Sequence, residues 1–125
     1  MNTDEHGLNE LSFVINGCAM DVLNKIGHGF HEKIYENALA VAFQKRGLNF
    51  SQQKQYNIAF DGQVVGTFIP DFVIEDKMIV EIKAIEHIGN NEKGQVLNYL
   101  RASNLGLGII LNFRNAKLDW QRVVL

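Results

Sequence analysis

One cysteine in 125 residues rules out an internal disulfide and any zinc site built on a cysteine cluster. Positive charge is also scarce. The formal net charge is −2 and the pI is near 6.0, so no bulk basic field exists to hold nucleic acid by counterion release. A polynucleotide would have to be met by a local basic patch, bound metal ions or a partner. No apolar run approaches the ~20 residues of a membrane span. The start, Met1-Asn2-Thr3-Asp4-Glu5-His6, lacks the basic opening and apolar stretch of a signal peptide. The expectation is a cytoplasmic protein with no membrane partner. A phosphate-binding glycine loop, a nucleophilic serine elbow and a dinucleotide fingerprint are missing, as are internal repeats, low-complexity tracts and an interdomain linker. What is there, 46% hydrophobic and 21% charged residues, has the balance of one globular domain over residues 1–125.

Apolar residues from Leu8 to Ile26 recur at helical spacing and predict one amphipathic helix, ended by Gly27-His28-Gly29. A second helix is expected at about Phe30 to Arg46, with Ile34, Ala38, Ala42 and Phe43 inward and Gly47 as its stop. From Asn49 the period changes to strand. Phe50 to Phe60 leads to the Asp61-Gly62 turn, Gln63 to Val73 returns, and Met78 to Ile85 completes a meander. Asn91 to Ser103 reads as a helix with Val96, Leu97 and Leu100 inward. Gly106 to Phe113 reads as a buried strand and Leu118 to Leu125 as a final edge strand. The order ααβββαβ(β) predicts an α/β (α+β) fold in which helices flank a mixed central sheet.

Within the meander, Glu75-Asp76-Lys77 is the only polar interruption suited to a loop, which pairs Ile74 with Met78, Phe72 with Val80 and Asp71 with Glu81. Side chains alternate across a strand. One face then carries Phe68, Pro70, Phe72, Ile74, Met78, Val80 and Ile82, with no polar member. The other carries Ile69, Val73, Ile79 and Ile85, with three charges gathered at Asp71, Glu81 and Lys83. Like charges opposed on paired strands destabilise the pair, and carboxylates in an apolar setting cost several kcal/mol unless neutralised. A divalent cation between Asp71 and Glu81 would neutralise them, since hard cations prefer carboxylate oxygen. Lys83 points the same way, toward a phosphate or a metal-bound water. The plainer account is a buried ion triad in which Lys83 bridges the two acids. A glycosidase pair is a third reading, because opposed positions on adjacent strands approach the ~5–5.5 Å of retaining enzymes. Against it stand Lys83 on the same face and the lack of an aromatic sugar platform.

Elsewhere, Glu32, Tyr35 and Glu36 share a helix face, although an acidic first turn also simply suits the helix dipole. Gln95 and Tyr99, four residues apart, share a face of the later helix. There they would orient a water or phosphate oxygen, stack or hydrogen-bond, or merely form a helix flank. His28 and His31 lack a third partner for zinc, His6 falls in a terminus expected to fray, and Cys18 sits on an apolar face as a core residue.

These residues reach a resemblance. Pro70-Asp71, nine intervening residues, then Glu81-Ile82-Lys83 resembles the signature of the PD-(D/E)XK nuclease superfamily. Gly29-Phe30-His31-Glu32-Lys33-Ile34-Tyr35 is similar to the pattern of the GxxExxY proteins within it. Gln95-Val96-Leu97-Asn98-Tyr99 resembles the glutamine-tyrosine motif of the RecB-like and lambda-exonuclease-like branches. The resemblance runs from about Leu11 to the C-terminus and implies a restriction-endonuclease-like core. It implies a Mg²⁺- or Mn²⁺-dependent nuclease whose metal is held by Glu32, Asp71, Glu81 and the Ile82 main-chain carbonyl. Lys83 would position the attacking water or stabilise charge on phosphorus, with Asp71 and Glu81 catalytic through the metal. Gln95 and Tyr99 would brace the site or contact the nucleic-acid backbone, with Tyr35 and Glu36 in support. Glu92 stands where relatives are expected to carry histidine, and an added acid there opposes phosphate binding. The implied partner is nucleic acid, DNA foremost, with a homodimer or protein partner enlarging a small binding surface. The acidic balance and small size equally fit a non-cleaving binding or regulatory module that keeps the fold and the metal site.

Overall fold

The computed structural model describes residues 3–125, with side chains from residue 7; Met1, Asn2 and the side chain of His6 lie outside the described residues. Helix α1 (Thr3–Ile26) buries Leu11, Ile15, Cys18, Ala19, Val22 and Leu23, the stripe that its spacing predicts. It stops at Gly27, whose N–H donates to the Leu23 carbonyl at 2.8 Å and whose φ of +91° favours glycine.

Helix α2 (Glu32–Lys45) buries Phe43 as expected, but its inward face is shifted from the one predicted. Tyr35, Leu39 and Phe43 are fully buried, whereas Ile34 is exposed. The helix carries two adjacent apolar stripes, and contact with α1 and the sheet selects the one bearing the larger side chains. Ala38 and Ala42 pack at its margin.

The strands are β1 (Phe50–Gln52), β2 (Tyr56–Phe60), β3 (Gln63–Phe68), β4 (Phe72–Ile74), β5 (Met78–Lys83), β6 (Leu107–Asn112) and β7 (Asp119–Val124). Helix α3 (Asn90–Ser103) precedes β6. Five strands form a mixed sheet in the order β1-β4-β5-β6-β7, while β2 and β3 form a separate ribbon. The two long strands expected over residues 50–60 and 63–73 are thus each broken in two. Gln53 takes a left-handed φ of +59°, and Pro70 brings no N–H to a ladder. The chain bends at both points, so the ribbon leaves the sheet.

The β4–β5 hairpin keeps its expected register, Phe72 opposite Val80 and Ile74 opposite Met78. Glu75 and Asp76 turn through left-handed conformations, and Lys77 N–H donates to the Ile74 carbonyl at 2.9 Å. Phe72, Ile74, Met78, Val80 and Ile82 pack under α1 and α2, and Val73 and Ile79 pack under α3. Phe68 departs from the expectation. It stacks on Tyr56 and on Tyr99 of α3, at centroid distances of 5.1 and 4.5 Å, because the break at residues 69–71 resets the alternation.

β5 and β6 run parallel, and β6 is buried along its whole length, as expected of a strand covered on both faces. At Gly108 a Cβ would lie 2.5 Å from Val96 Cγ1, and a valine in a helix has one strongly preferred rotamer. Gly108→Ala is therefore expected to destabilise the chain by about 1–3 kcal/mol, read as a lower urea midpoint at unchanged m-value.

Candidate active site

The β4–β5 ladder ends at the Phe72–Val80 pair, and the next step is taken over by a side chain. Asp71 Oδ2 accepts the Ile82 N–H at 2.8 Å. This crossing sets Asp71 beside Glu81, close enough for its charge and hydrogen bonding to shift the Glu81 carboxyl. Glu81 is 6% exposed. Burial first, then the neighbouring charge and hydrogen bond of Asp71, push its pKa up to about 9, against the opposing pull of Lys83. A buried carboxyl that keeps its proton beside another acid is the arrangement expected where like charges cannot both ionise.

That geometry bears on one of the alternatives. Among the described residues Lys83 makes no ion pair or hydrogen bond through its ammonium, so the bridged triad is not formed.

The sign of the Glu81 effect can be tested. A glutamate in the unfolded chain titrates near 4.5, whereas Glu81 holds its proton to about 9. Between those values the folded chain binds more protons, so its stability falls as pH rises. The contribution is whole below the lower value and gone above the upper one. Thermal melts in chelator should show this decline for the wild type and a flatter profile for Glu81→Gln; equal slopes would contradict the assignment.

Other residues predicted from sequence fall into a supporting network. Glu36 is buried and accepts from Lys33 Nζ at 3.1 Å, from Gln52 Nε2, and from Gln53 Nε2 at 3.1 Å. Three donors satisfy its charge. The same Gln53 amide reaches Asp71 Oδ1 at 3.3 Å, so Glu36 positions Asp71 through Gln53. Glu32 is placed elsewhere: its Oε2 accepts the Ala84 N–H at 3.0 Å. Among the described residues no three His, Cys, Asp or Glu side chains gather as a metal cluster. Glu32 is therefore not assembled with the acid pair, because it opens α2 at the rim while Glu36, one turn later, points inward.

Tyr35 is fully buried and out of reach of a ligand. Its hydroxyl donates to the Gly27 carbonyl at 2.7 Å and accepts the Phe30 N–H at 3.0 Å, and its ring stacks on Phe113 at 4.5 Å. The stretch from Gly29 to Tyr35 thus pins the α1–α2 corner to the end of the β5–β6 pair. His28 and His31 are exposed without a third ligand. Cys18 lies in the core, where burial pushes its thiol pKa up.

On α3, Tyr99 faces the acids: burial, then the charges of Glu81 and Asp71, push its phenol pKa up. Gln95 is exposed and, with Tyr99 and Asn98, lines a cavity of about 490 Å³. Glu92 is engaged as a cap, accepting the Gly89 N–H at 2.7 Å. Gln52, Gln53 and Asn112 are working residues that sequence reasoning passed over. Asn112, fully buried, clamps Ile85 by accepting its N–H at 3.0 Å and donating to its carbonyl at 2.8 Å. It fixes the backbone just beyond Lys83, its partner in the β5–β6 register. A polar residue ending a wholly apolar strand was the available signal.

The sequence matches the family described as the PD-(D/E)XK nuclease superfamily over residues 9–123, and Asp71, Glu81 and Lys83 lie inside that span. The chain belongs to the PD-(D/E)XK nuclease superfamily. Its five-stranded mixed sheet flanked by helices is the restriction-endonuclease-like fold. No curated protein matches the chain. Among solved structures, the crystal structure of SSO0001 is similar with a TM-score of 0.59 at 17% identity, over 74% of this chain and 48% of that one. At that identity the likeness concerns fold alone, and the chain spans about half the length of that relative.

PD-(D/E)XK nucleases generally use divalent metals, and the residues here can be tested for fit. The Asp71–Glu81 pair offers hard oxygen donors whose retained proton a cation would replace. Mg²⁺ is commonly held by one or two carboxylates, with waters and substrate phosphates completing its shell. The donor set fits such an ion without a third acid. Among the described residues no helix is long and apolar enough to cross a membrane.

Proposed function

We propose that the chain hydrolyses phosphodiester bonds in nucleic acid, DNA foremost, with Mg²⁺ or Mn²⁺ at the Asp71–Glu81 pair. One observation carries this reading: the buried Glu81 carboxyl beside the half-buried Asp71, whose Oδ2 accepts the Ile82 N–H, next to an ammonium free of ion pairs among the described residues. Asp71, Glu81 and the Ile82 carbonyl would hold the ion, with Glu32 at the rim bracing the strand end at Ala84. When bound, the metal supplies a water of lowered pKa and positive charge at the scissile phosphate. Lys83 Nζ offsets charge developing on the phosphoryl oxygens. Glu36 and Gln53 hold Asp71 in place, and Asn112 holds the chain beyond Lys83. Tyr99 walls the site, and Gln95 offers an amide to the backbone of the substrate. Placement within the GxxExxY group rests on Gly29, Glu32 and Tyr35, and placement in the RecB-like branch on Gln95 and Tyr99.

A second reading, a non-cleaving binding module, is favoured by the lack of a third gathered acid and by the net charge of −2. Cleavage assays on single- and double-stranded DNA and RNA, with Mg²⁺, Mn²⁺ or chelator, separate the two. Metal-dependent cleavage abolished by chelator supports the nuclease; metal binding without cleavage supports the module.

A further inference from the structure

Between the β2–β3 ribbon and the outer face of α3 lie two cavities. One, of about 620 Å³, is lined by Asn57, Ile58, Asn98 and Arg101 among others. The second, of about 490 Å³, shares Ile58 and Asn98 with the first and runs on to Gln95 and Tyr99. The two adjoin at the shared residues, and the second includes Tyr99, whose phenol feels the charges of Glu81 and Asp71. The ribbon that forms one wall is held at its base by the Tyr56–Phe68–Tyr99 stack.

The lining chemistry is selective. Among the described residues neither cavity is lined by a carboxylate, although the chain carries 14 acidic residues. The polar side chains are carboxamides, which pair with base edges, sugar hydroxyls or phosphate oxygens, one guanidinium and the Tyr99 phenol. Arg101 is exposed and anchored by donating to Asn98 Oδ1 at 2.9 Å, which leaves its other donors free for a phosphate. Ile58 supplies an apolar surface for a base or ribose. Each cavity is in the size range of a small-ligand site, matched to the nucleotides of one strand.

We propose that this groove carries one strand of nucleic acid to the Asp71–Glu81 pair, with Arg101 on a phosphate and Asn57 and Asn98 on sugars or base edges. The inference rests on the function proposed above and adds that the substrate is single-stranded at the point of entry. It also explains how an acidic chain binds a polyanion: few charges and many amides make an interface of low salt dependence. With so few phosphates neutralised, the slope of log K against log salt should be shallow, each contact adding about 0.7 for a single strand.

The test is fluorescence anisotropy in chelator, where no cleavage occurs. The probe is a labelled oligothymidylate of about 8 nucleotides, within the usual site sizes of single-strand binders, beside a duplex of equal length. The wild type should bind the single strand at least about tenfold tighter than the duplex. Arg101→Gln should weaken binding about tenfold and reduce the salt slope by about 0.7. Asn57→Asp, a second exposed position facing the same cavity, should weaken binding similarly by placing an anion in the strand's path. Duplex binding as tight as single-strand binding, no binding of either, or unchanged affinity and slope in both variants would overturn the proposal. Binding is read without turnover, so an inactive chain that still shows this pattern keeps the groove and loses only the hydrolysis.

Discussion

Asp71→Asn is expected to lower metal-dependent cleavage by at least about 10³-fold while leaving the fold intact. The substitution is isosteric, and the amide oxygen still accepts the Ile82 N–H that Asp71 Oδ2 now holds at 2.8 Å. What disappears is one of the two carboxylates, and with it the negative charge that helps drive Glu81 up to about 9. Glu81 should then ionise at lower pH, so the variant should be at least as stable as the wild type near neutrality. Loss of cleavage with an unchanged or raised melting temperature is the expected combination. Cleavage at the wild-type rate would remove Asp71 from the site, and parallel loss of activity and stability would make its role structural.

Lys83→Ala is expected to reduce kcat by about 10²–10³-fold with metal binding retained. The ammonium is half-buried, without an ion-pair partner among the described residues, and close enough to Glu81 to lower its pKa. It therefore opposes the cation in the resting site and acts only when charge develops on phosphorus. Removing it should leave Mn²⁺ affinity equal to or tighter than wild type, whereas Asp71→Asn should weaken it. Single-turnover cleavage beside metal titration separates the two variants. Full activity in Lys83→Ala would assign the charge-stabilising role elsewhere.

The central hairpin was legible because a slip of one residue would have moved Phe72, Ile74, Met78 and Val80 from the core to the opposite face. Apolar content alone therefore fixed its register and the meeting of Asp71 with Glu81. Helix α2 was harder to read. Phe43 is buried as expected, but Ile34, Ala38 and Ala42 form one stripe and Tyr35, Leu39 and Phe43 its neighbour, and periodicity does not choose between neighbouring stripes. Only packing against α1 and the sheet does. The breaks at Gln53 and Pro70 were hidden for another reason. A left-handed glutamine carries no sequence mark, and alternation carried through residues 69–71 placed Phe68 on the wrong side of the sheet.

The same limit explains the acids. From spacing, Glu32 and Glu36 are equivalent positions on one face. The structure separates them by a single turn of helix, sending Glu36 inward to Gln53 and Glu32 outward to Ala84. Gln52, Gln53 and Asn112 were overlooked because a lone amide reads as loop or strand end. Their importance comes from partners far away in sequence.

The most direct test is calorimetric titration of Mn²⁺ near neutral pH in two buffers of different ionisation enthalpy, which counts protons released per ion bound. If Glu81 keeps a proton that a cation displaces, the wild type should release about one proton per ion, and Glu81→Gln should release none. Binding without proton release, or equal binding and release in Glu81→Gln, would contradict the retained Glu81 proton on which the account rests.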